Sequence, residues 1–319
     1  MLKFCASPWN DIAITENGDV TPCICSAFHN KGPIGNLNYQ SLTDIFNSTE
    51  MIKFRNTILD QTFSYCSRTQ CQQFNRLPTV NNLDFVKSTN LPSTIMLAID
   101  RNCNLRCSSC RSSNIYSKEP NENTLKILNQ LTYSYQDHPT PVQLYLDGAG
   151  DIFASAAYQL FLRNNIPSCF KLVITTNGNL LLKNLDIIKK LKPQIDLITV
   201  SLDAATPSTY KEVRGGDFEI VINGIKEVVA MGIQVSSHFV VQQKNYKEII
   251  EYIKLSKEFG VSPFGLSPIR RWSHMTDTWW AENKLENNSS IDYQFLYDSV
   301  EYIQKHDVDF AHYIKTQLH

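Results

Sequence analysis

Three cysteines, Cys103, Cys107 and Cys110, fall within eight residues of the stretch RNCNLRCSSCRSS, residues 101–113. Their spacing is C-x3-C-x2-C. Thiolates are soft ligands, suited to zinc or to iron–sulfur clusters. A structural zinc site takes four protein ligands and a disulfide framework takes pairs, so three thiols in one loop match neither. A [4Fe–4S] cluster held by three thiolates keeps one iron without a protein ligand, and that iron can bind a small molecule. The next residue able to complete a zinc site, His138, lies far along the chain.

The chain holds nine cysteines, and they are clustered. Cys5, Cys23, Cys25, Cys66 and Cys71 precede the loop, and Cys169 stands alone beside a strand-like run, where it reads as a small buried hydrophobe. With 42% apolar and 19% charged residues in 319, the composition is that of a soluble globular chain. A net charge of −1 supplies no basic field to hold nucleic acid or an anionic membrane. The start, MLKFCASPWND, has no apolar signal region, and no run approaches the ~20 apolar residues of a membrane span. A cytoplasmic protein with neither membrane nor nucleic-acid partners is expected. In that reducing compartment its cysteines serve as metal ligands rather than disulfides.

The elements that must carry the loop are legible as alternating patterns. A cysteine-rich segment, residues 1–75, is followed by a proline- and asparagine-rich linker, 76–92. From 93 to 319, apolar runs alternate with helical spacing. STIMLAID, VQLYLDG, FKLVITTNG, IDLITVSLD, IQVSSHFVV and VSPFGLSPI read as six strands. Helical patterns follow each of them, the last over IDYQFLYDSVEYIQKH, residues 291–306. Such alternation predicts parallel strands with right-handed crossovers. Six units are two short of a closed barrel, so the fold class expected is α/β, a partial (β/α)6 TIM-like barrel after a small N-terminal cysteine-rich domain; a doubly wound sheet stays open. The polar and glycine-rich residues gather at the C-terminal strand ends, the edge where parallel α/β folds place their sites.

The C-x3-C-x2-C loop after a first barrel strand resembles the radical S-adenosylmethionine (radical SAM) enzymes. That resemblance implies that Cys103, Cys107 and Cys110 ligate a [4Fe–4S] cluster whose open iron chelates S-adenosylmethionine. YLDGAGDIFAS stands where the family has its GGEP-like segment, with Ala149, Gly150, Asp151 and Ile152 in place of it. The acid is shortened and the proline is absent. Glycine there is expected to let backbone approach a ligand. ITVSLDAATPSTYKEVRGG resembles the fourth-strand region of members with auxiliary clusters. By that match Ser201 and Asp203 face the ribose or methionyl part of the cofactor, or cap the next helix, and Arg214 lies near its carboxylate or braces the loop. Asn177, at the end of the third strand, joins this cofactor-facing set. Ser109 stands where many members have an aromatic residue.

The N-terminal segment resembles the SPASM and twitch modules that hold auxiliary clusters in this family. Asn17-Gly18 is a hairpin signal between two strand-like runs, and Ser48 or Thr49 can cap a helix that runs toward Cys66. The resemblance implies a second [4Fe–4S] cluster on Cys5, Cys23, Cys66 and Cys71, with Cys25 spare; a structural zinc on the same four thiolates stays open. The module precedes the barrel, whereas it usually follows it, and its later pair is C-x4-C. The first 71 residues read as too small a segment to stay folded on a core of their own, so bound metal is expected to supply much of its stability.

The activity implied is reductive cleavage of S-adenosylmethionine to a 5′-deoxyadenosyl radical that abstracts hydrogen from substrate. Oxidative modification of a peptide or protein is the first expectation, a sugar or aminocyclitol the second. A zinc-stabilised binding protein without catalysis is the alternative of another class. A flavodoxin- or ferredoxin-like reductant is the expected partner. The aromatic stretch RRWSHMTDTWWAENK lines a substrate pocket or covers the open barrel side.

Overall fold

The computed structural model describes residues 1–23, 32–68, 71, 73–82, 91–111, 113, 115–147, 149–164, 166–261, 264–285, 298–299 and 301–302. Cys25, Gly148 and most of the helix expected over 291–306 lie outside them. The chain divides into two units, residues 1–102 with 117–173, and residues 103–116 with 174–319.

The first unit begins with β1 (Leu2–Lys3), α1 (Ser7–Asn10), β2 (Asp11–Thr15), β3 (Asp19–Thr21), β4 (Gly35–Asn36), α2 (Leu42–Phe46), α3 (Thr49–Leu59) and β5 (Thr79–Val80). It continues through β6 (Thr94–Ala98), α4 (Glu122–Tyr135), β7 (Val142–Leu146) and α5 (Ala156–Arg163). In β2, Ile12 and Ile14 are buried while Asp11, Ala13 and Thr15 are half-buried, the period-two pattern of a strand with one covered face. Glu16, Asn17 and Gly18 connect it to β3. Gly18 sits at φ +79°, and its N–H donates to the Thr15 carbonyl at 2.9 Å. A three-residue connection with glycine in the left-handed region is a standard hairpin closure. Ser48 caps α3 by accepting from the Met51 N–H at 3.3 Å, as its spacing predicts.

The cysteine-rich segment is not a separate island. β2 pairs in parallel with β6 from Asp11↔Thr94 to Thr15↔Ala98, and β6 pairs in parallel with β7. The strand order in this unit is β7–β6–β2–β3–β4. Ile12, Ile14, Val20, Leu42, Ile45, Phe46, Met51 and Ile58 have no exposed surface. Each such side chain contributes roughly 1.5–3 kcal/mol by burial. The expectation that metal must supply the fold of this segment is therefore corrected: sharing a sheet with β6 covers apolar faces that a lone short segment would expose.

β8 (Phe170–Thr176) passes from the first unit into the second. The second unit holds α6 (Leu185–Leu191), β9 (Ile195–Ser201), α7 (Pro207–Val213), α8 (Phe218–Ala230), β10 (Val235–Val241), α9 (Ile249–Glu258), β11 (Phe264–Pro268) and α10 (Asp277–Asn283). β10 pairs in parallel with β9 on one side and β11 on the other. In α8, Phe218, Val221, Ile222, Ile225 and Val228 are buried at helical spacing, and Asp217 caps it by accepting from the Ile220 N–H at 3.2 Å. The six strands and the helices between them form where the sequence pattern places them, with local shifts: a 3-10 turn over Tyr246–Glu248 precedes α9, and α10 forms in the aromatic stretch that carried no helical expectation. α5 starts at Ala156, after the Ser155 cap, and a short 3-10 turn over Leu182–Asn184 precedes α6. Among the described residues, no helix is long and apolar enough to cross a membrane.

Candidate functional site

The loop with Cys103, Cys107 and Cys110 is held at several points within the second unit. The Cys103 N–H donates to the Ile115 carbonyl at 2.8 Å, closing the loop on itself. The Cys110 N–H donates to the Cys107 carbonyl at 3.1 Å, a tight turn. The Ser108 N–H reaches the Val213 carbonyl at the end of α7 at 3.3 Å. Asn177, just past β8, donates through Nδ2 to Asn104 Oδ1 at 2.9 Å, and the same nitrogen stands 3.7 Å from Cys103 Sγ. Asn177 is in turn fixed by the Asn179 N–H at 2.9 Å and by the Tyr210 hydroxyl on its carbonyl at 3.3 Å. Cys103 and Cys107 are buried and Cys110 is exposed.

Electrostatics concentrate on Cys107. Burial pushes its thiol pKa up, the Arg214 guanidinium pulls against that, and Asp203, Cys110 and Cys103 add to the rise. Burial works against the charge of Arg214, yet Cys107, Asp203 and Tyr210 together raise its pKa above the ordinary value. Arg214 Nη1 pairs with Asp203 Oδ2 at 3.0 Å, while its buried Nε has no hydrogen-bond partner among the described residues.

Asp203 is committed inside the fold. Its Oδ1 accepts from the Val240 N–H at 2.6 Å, its carbonyl accepts from Asn245 Nδ2 at 2.9 Å, and its backbone is held at φ +55°. The carboxylate thus braces Arg214 and joins the ends of β9 and β10. Ser201, the last residue of β9, is half-buried beside His238 in register.

In the first unit, the segment after β7 packs closely on the chain's own backbone. A Cβ on Gly150 would meet the Asn102 carbonyl oxygen at 2.2 Å and the Asp100 carbonyl oxygen at 2.8 Å. The glycine makes room for the chain's own backbone. Asp151 is buried; its N–H donates to the Asn102 carbonyl at 2.8 Å and its Oδ1 accepts from the Phe153 N–H at 3.0 Å. Asp100 completes the brace, accepting from Ser155 Oγ at 2.6 Å and from the Asn102 N–H at 2.9 Å. Ala149 is half-buried at the start of this turn.

Of the N-terminal thiols, Cys5 follows β1, which pairs with β5. Gln61 clamps this edge, accepting from the Lys3 N–H and donating to the Lys3 carbonyl, both at 2.9 Å. Burial raises the pKa of Cys5, hydrogen bonds from Ser7 oppose this, and the Cys71 charge adds to the rise, so Cys5 and Cys71 feel one another. Cys66 and Cys71 lie in turns, their N–H groups donating to Phe63 and Ser67. Cys23 is half-buried, next to β3. None of the eight described cysteines is disulfide-bonded. Cys169 is half-buried rather than buried, its thiol 3.5 Å from the Tyr135 carbonyl.

Among the described residues, no three His, Cys, Asp or Glu side chains already converge as a finished metal site. The donor set nevertheless suits a [4Fe–4S] cluster: three thiols share one braced loop, Cys107 feels the other two, and a buried guanidinium with an unsatisfied donor stands by to balance thiolate charge. Sequence reasoning missed Asn104, Asn179, Tyr210 and Asn245 as the bracing set. Only the N-G and S-x-D turn patterns nearby hinted at them.

Comparison with known proteins agrees with this reading. A profile described as the Radical SAM superfamily matches residues 98–256, and one described as an iron-sulfur cluster-binding domain, SPASM, matches residues 5–72. A probable GTP 3′,8-cyclase of Saccharolobus islandicus is 43% identical over 96 residues, 29% of this chain and 30% of the relative. The match therefore spans less than a third of that relative's length. A GTP 3′,8-cyclase of Alkaliphilus oremlandii is 28% identical over 204 residues, 60% of each chain. Among solved structures, Streptococcus suis SuiB bound to S-adenosylmethionine is similar with a TM-score of 0.50 at 17% identity, covering 83% of this chain and 60% of that one. That likeness concerns the fold, and it agrees with the expected α/β partial barrel.

Proposed function

Because the chain belongs to the radical SAM superfamily and carries a SPASM cluster-binding domain, we propose that it cleaves S-adenosylmethionine reductively and abstracts hydrogen from a substrate. A [4Fe–4S] cluster with S-adenosylmethionine belongs to the first assignment and auxiliary iron–sulfur binding to the second. When bound, the barrel cluster supplies the electron that breaks the sulfonium bond.

The observation that carries the reading is the braced loop. Cys103, Cys107 and Cys110 would hold the cluster, and Asn177 fixes the start of their loop through Asn104. Arg214, held by Asp203, places a positive charge beside the Cys107 thiolate. Ser201 ends β9 at the strand edge where cofactor contacts belong. Asp151 and Gly150 shape the backbone that leads into Cys103. Cys5, Cys23, Cys66 and Cys71 would hold the second cluster, giving the chain an acceptor for the electron left on the substrate. Burial of the loop's first two thiols keeps water from them.

For the substrate, oxidative modification of a peptide or protein is the first reading, by analogy with relatives that carry this domain. A purine nucleotide is the second, supported by the name of the curated relatives. An electron-donor protein is required in either case. Anaerobic reconstitution tests the core of the proposal. About eight irons per chain, a brown colour bleached by reductant, and 5′-deoxyadenosine formed from S-adenosylmethionine are expected. Colourless protein filled with zinc and unable to cleave S-adenosylmethionine would sink it.

A further inference from the structure

β8 ends at Thr176, and the next residue, Asn177, is 5% exposed. The orientation of its side-chain amide is fixed by a partner that cannot change roles. Oδ1 accepts from the Asn179 backbone N–H at 2.9 Å, which only an oxygen can do. The amide nitrogen therefore lies on the other side. There Nδ2 donates to Asn104 Oδ1 at 2.9 Å and stands 3.7 Å from Cys103 Sγ. An amide nitrogen carries two hydrogens, so it can serve both acceptors at once.

A second set of contacts holds this amide from behind. The Asn177 carbonyl accepts from the Tyr210 hydroxyl at 3.3 Å, and that hydroxyl accepts from Asn179 Nδ2 at 2.7 Å. Asn179 Oδ1 in turn accepts from the Asp217 N–H at 3.1 Å, at the cap of α8. The sulfur side is held as well, since the Cys103 N–H donates to the Ile115 carbonyl at 2.8 Å. Bracing the cysteine loop needs only the bond to Asn104. The approach to sulfur asks for another reason. A thiol is a weak acceptor, whereas a thiolate that ligates a cluster carries much of its negative charge. A hydrogen bond to that sulfur favours the reduced cluster, which has one more electron to stabilise, and so raises its potential.

We propose that Asn177 is a positioning residue whose amide donates to the Cys103 sulfur and sets the reduction potential of the cluster that this loop holds. The inference rests on the radical SAM reading, since it needs a cluster on Cys103, Cys107 and Cys110. It gives the three sulfurs different surroundings. Cys103 takes an amide donor, Cys107 feels the Arg214 charge, and Cys110 is exposed.

The test is a potentiometric titration of the reconstituted full chain followed by electron paramagnetic resonance. The barrel cluster is recognised as the signal that added S-adenosylmethionine alters. Asn177→Ala removes the donor. Asn177→Asp keeps the acceptor for the Asn179 N–H but offers sulfur no amide hydrogen, and it carries the comparison should the alanine variant take up no cluster. Asn104→Ala removes the bracing bond and leaves the donor in place. Both Asn177 variants should shift the reduction equilibrium about tenfold toward the oxidised cluster, a midpoint about 59 mV lower for one electron. The aspartate should shift it at least as far as the alanine, because its charge opposes reduction. Asn104→Ala should stay near the wild-type potential. An unchanged potential in Asn177→Asp overturns the proposal, as does an equal shift in Asn104→Ala, which would assign the effect to the loop brace. Weaker S-adenosylmethionine binding at an unchanged potential also overturns it, and would make Asn177 a contact of that cofactor instead. Wild-type protein whose cluster titrates but never cleaves S-adenosylmethionine counts against the proposed activity alone, because the potentials are read without turnover and still decide the role of Asn177.

Discussion

The pair of Asp203 and Arg214 should be the most sensitive point of the second unit. The Asp203 side chain is 1% exposed and that of Arg214 13%, with 3.0 Å between Oδ2 and Nη1. At that separation and an effective dielectric near 20, attraction is about 5–6 kcal/mol before desolvation is subtracted. The pair itself is therefore a modest net gain, but breaking it strands a buried charge, at about 3–5 kcal/mol. Asp203→Ala also removes the acceptor of the Val240 N–H and puts alanine at φ +55°, a conformation that asparagine tolerates better. Asp203→Ala should thus lie at the upper end of that range, and Asp203→Asn below it. Arg214→Met leaves Asp203 charged and buried, so it too should be costly. The double variant, Asp203→Ala with Arg214→Met, removes both charges and should be less destabilised than the sum of the singles by well over 1 kcal/mol. Urea unfolding of the metal-free protein measures all four. Additivity within about 0.5 kcal/mol would refute the argument, because uncoupled residues behave that way.

Gly150→Ala should force the Asp100–Asn102 backbone aside, since no side-chain rotation can relieve a 2.2 Å contact with a carbonyl oxygen. About 1–3 kcal/mol of destabilisation and reduced iron at the adjoining Cys103 loop are expected, read by urea unfolding and iron analysis. Cys66→Ala with Cys71→Ala should lower iron content while far-ultraviolet circular dichroism stays near wild type, because the segment's core is shared with β6; wholesale loss of structure would show that metal carries the fold after all. Burial raises the phenol pKa of Tyr135, Tyr158, Tyr210 and Tyr252, to about 12 for Tyr210. Stability tied to these protons is complete below about pH 10 and is lost as pH rises through the folded values. Ultraviolet titration should accordingly show a late tyrosinate fraction that appears together with unfolding, and a single transition near the ordinary phenol value would contradict it.

The amino-acid sequence by itself determined the family and the sequence of elements. Three thiols in eight residues are what carries the family resemblance, and that information is local. The alternation from β6 to β11 is equally local, since period-two and period-3.6 patterns and the caps Asn121, Ser155, Thr206 and Asp217 act within a few residues. A side chain with two candidate duties was beyond such reading. Asp151 and Gly150 were read as ligand-facing, and the sequence could not show that the Asp151 N–H and the missing Cβ of Gly150 also accommodate the Asn102 carbonyl, some 50 residues away, while Asp151 Oδ1 accepts from the Phe153 N–H. Asp203 was read as either a cofactor contact or a cap, and its partners turned out to be Arg214 and Val240.

Only the tertiary structure decided which of these groups meet. Asn177 reaches Asn104 across 73 positions, and Asp203 reaches Val240 across 37. The parallel pairing of β2 with β6, which makes the cysteine-rich segment part of a sheet and supplies its core, likewise joins residues about 80 positions apart. Propensity and periodicity are summed over short windows. Hydrogen-bond satisfaction and burial depend on the whole closed chain, because a donor's partner is chosen by packing rather than by distance along the backbone.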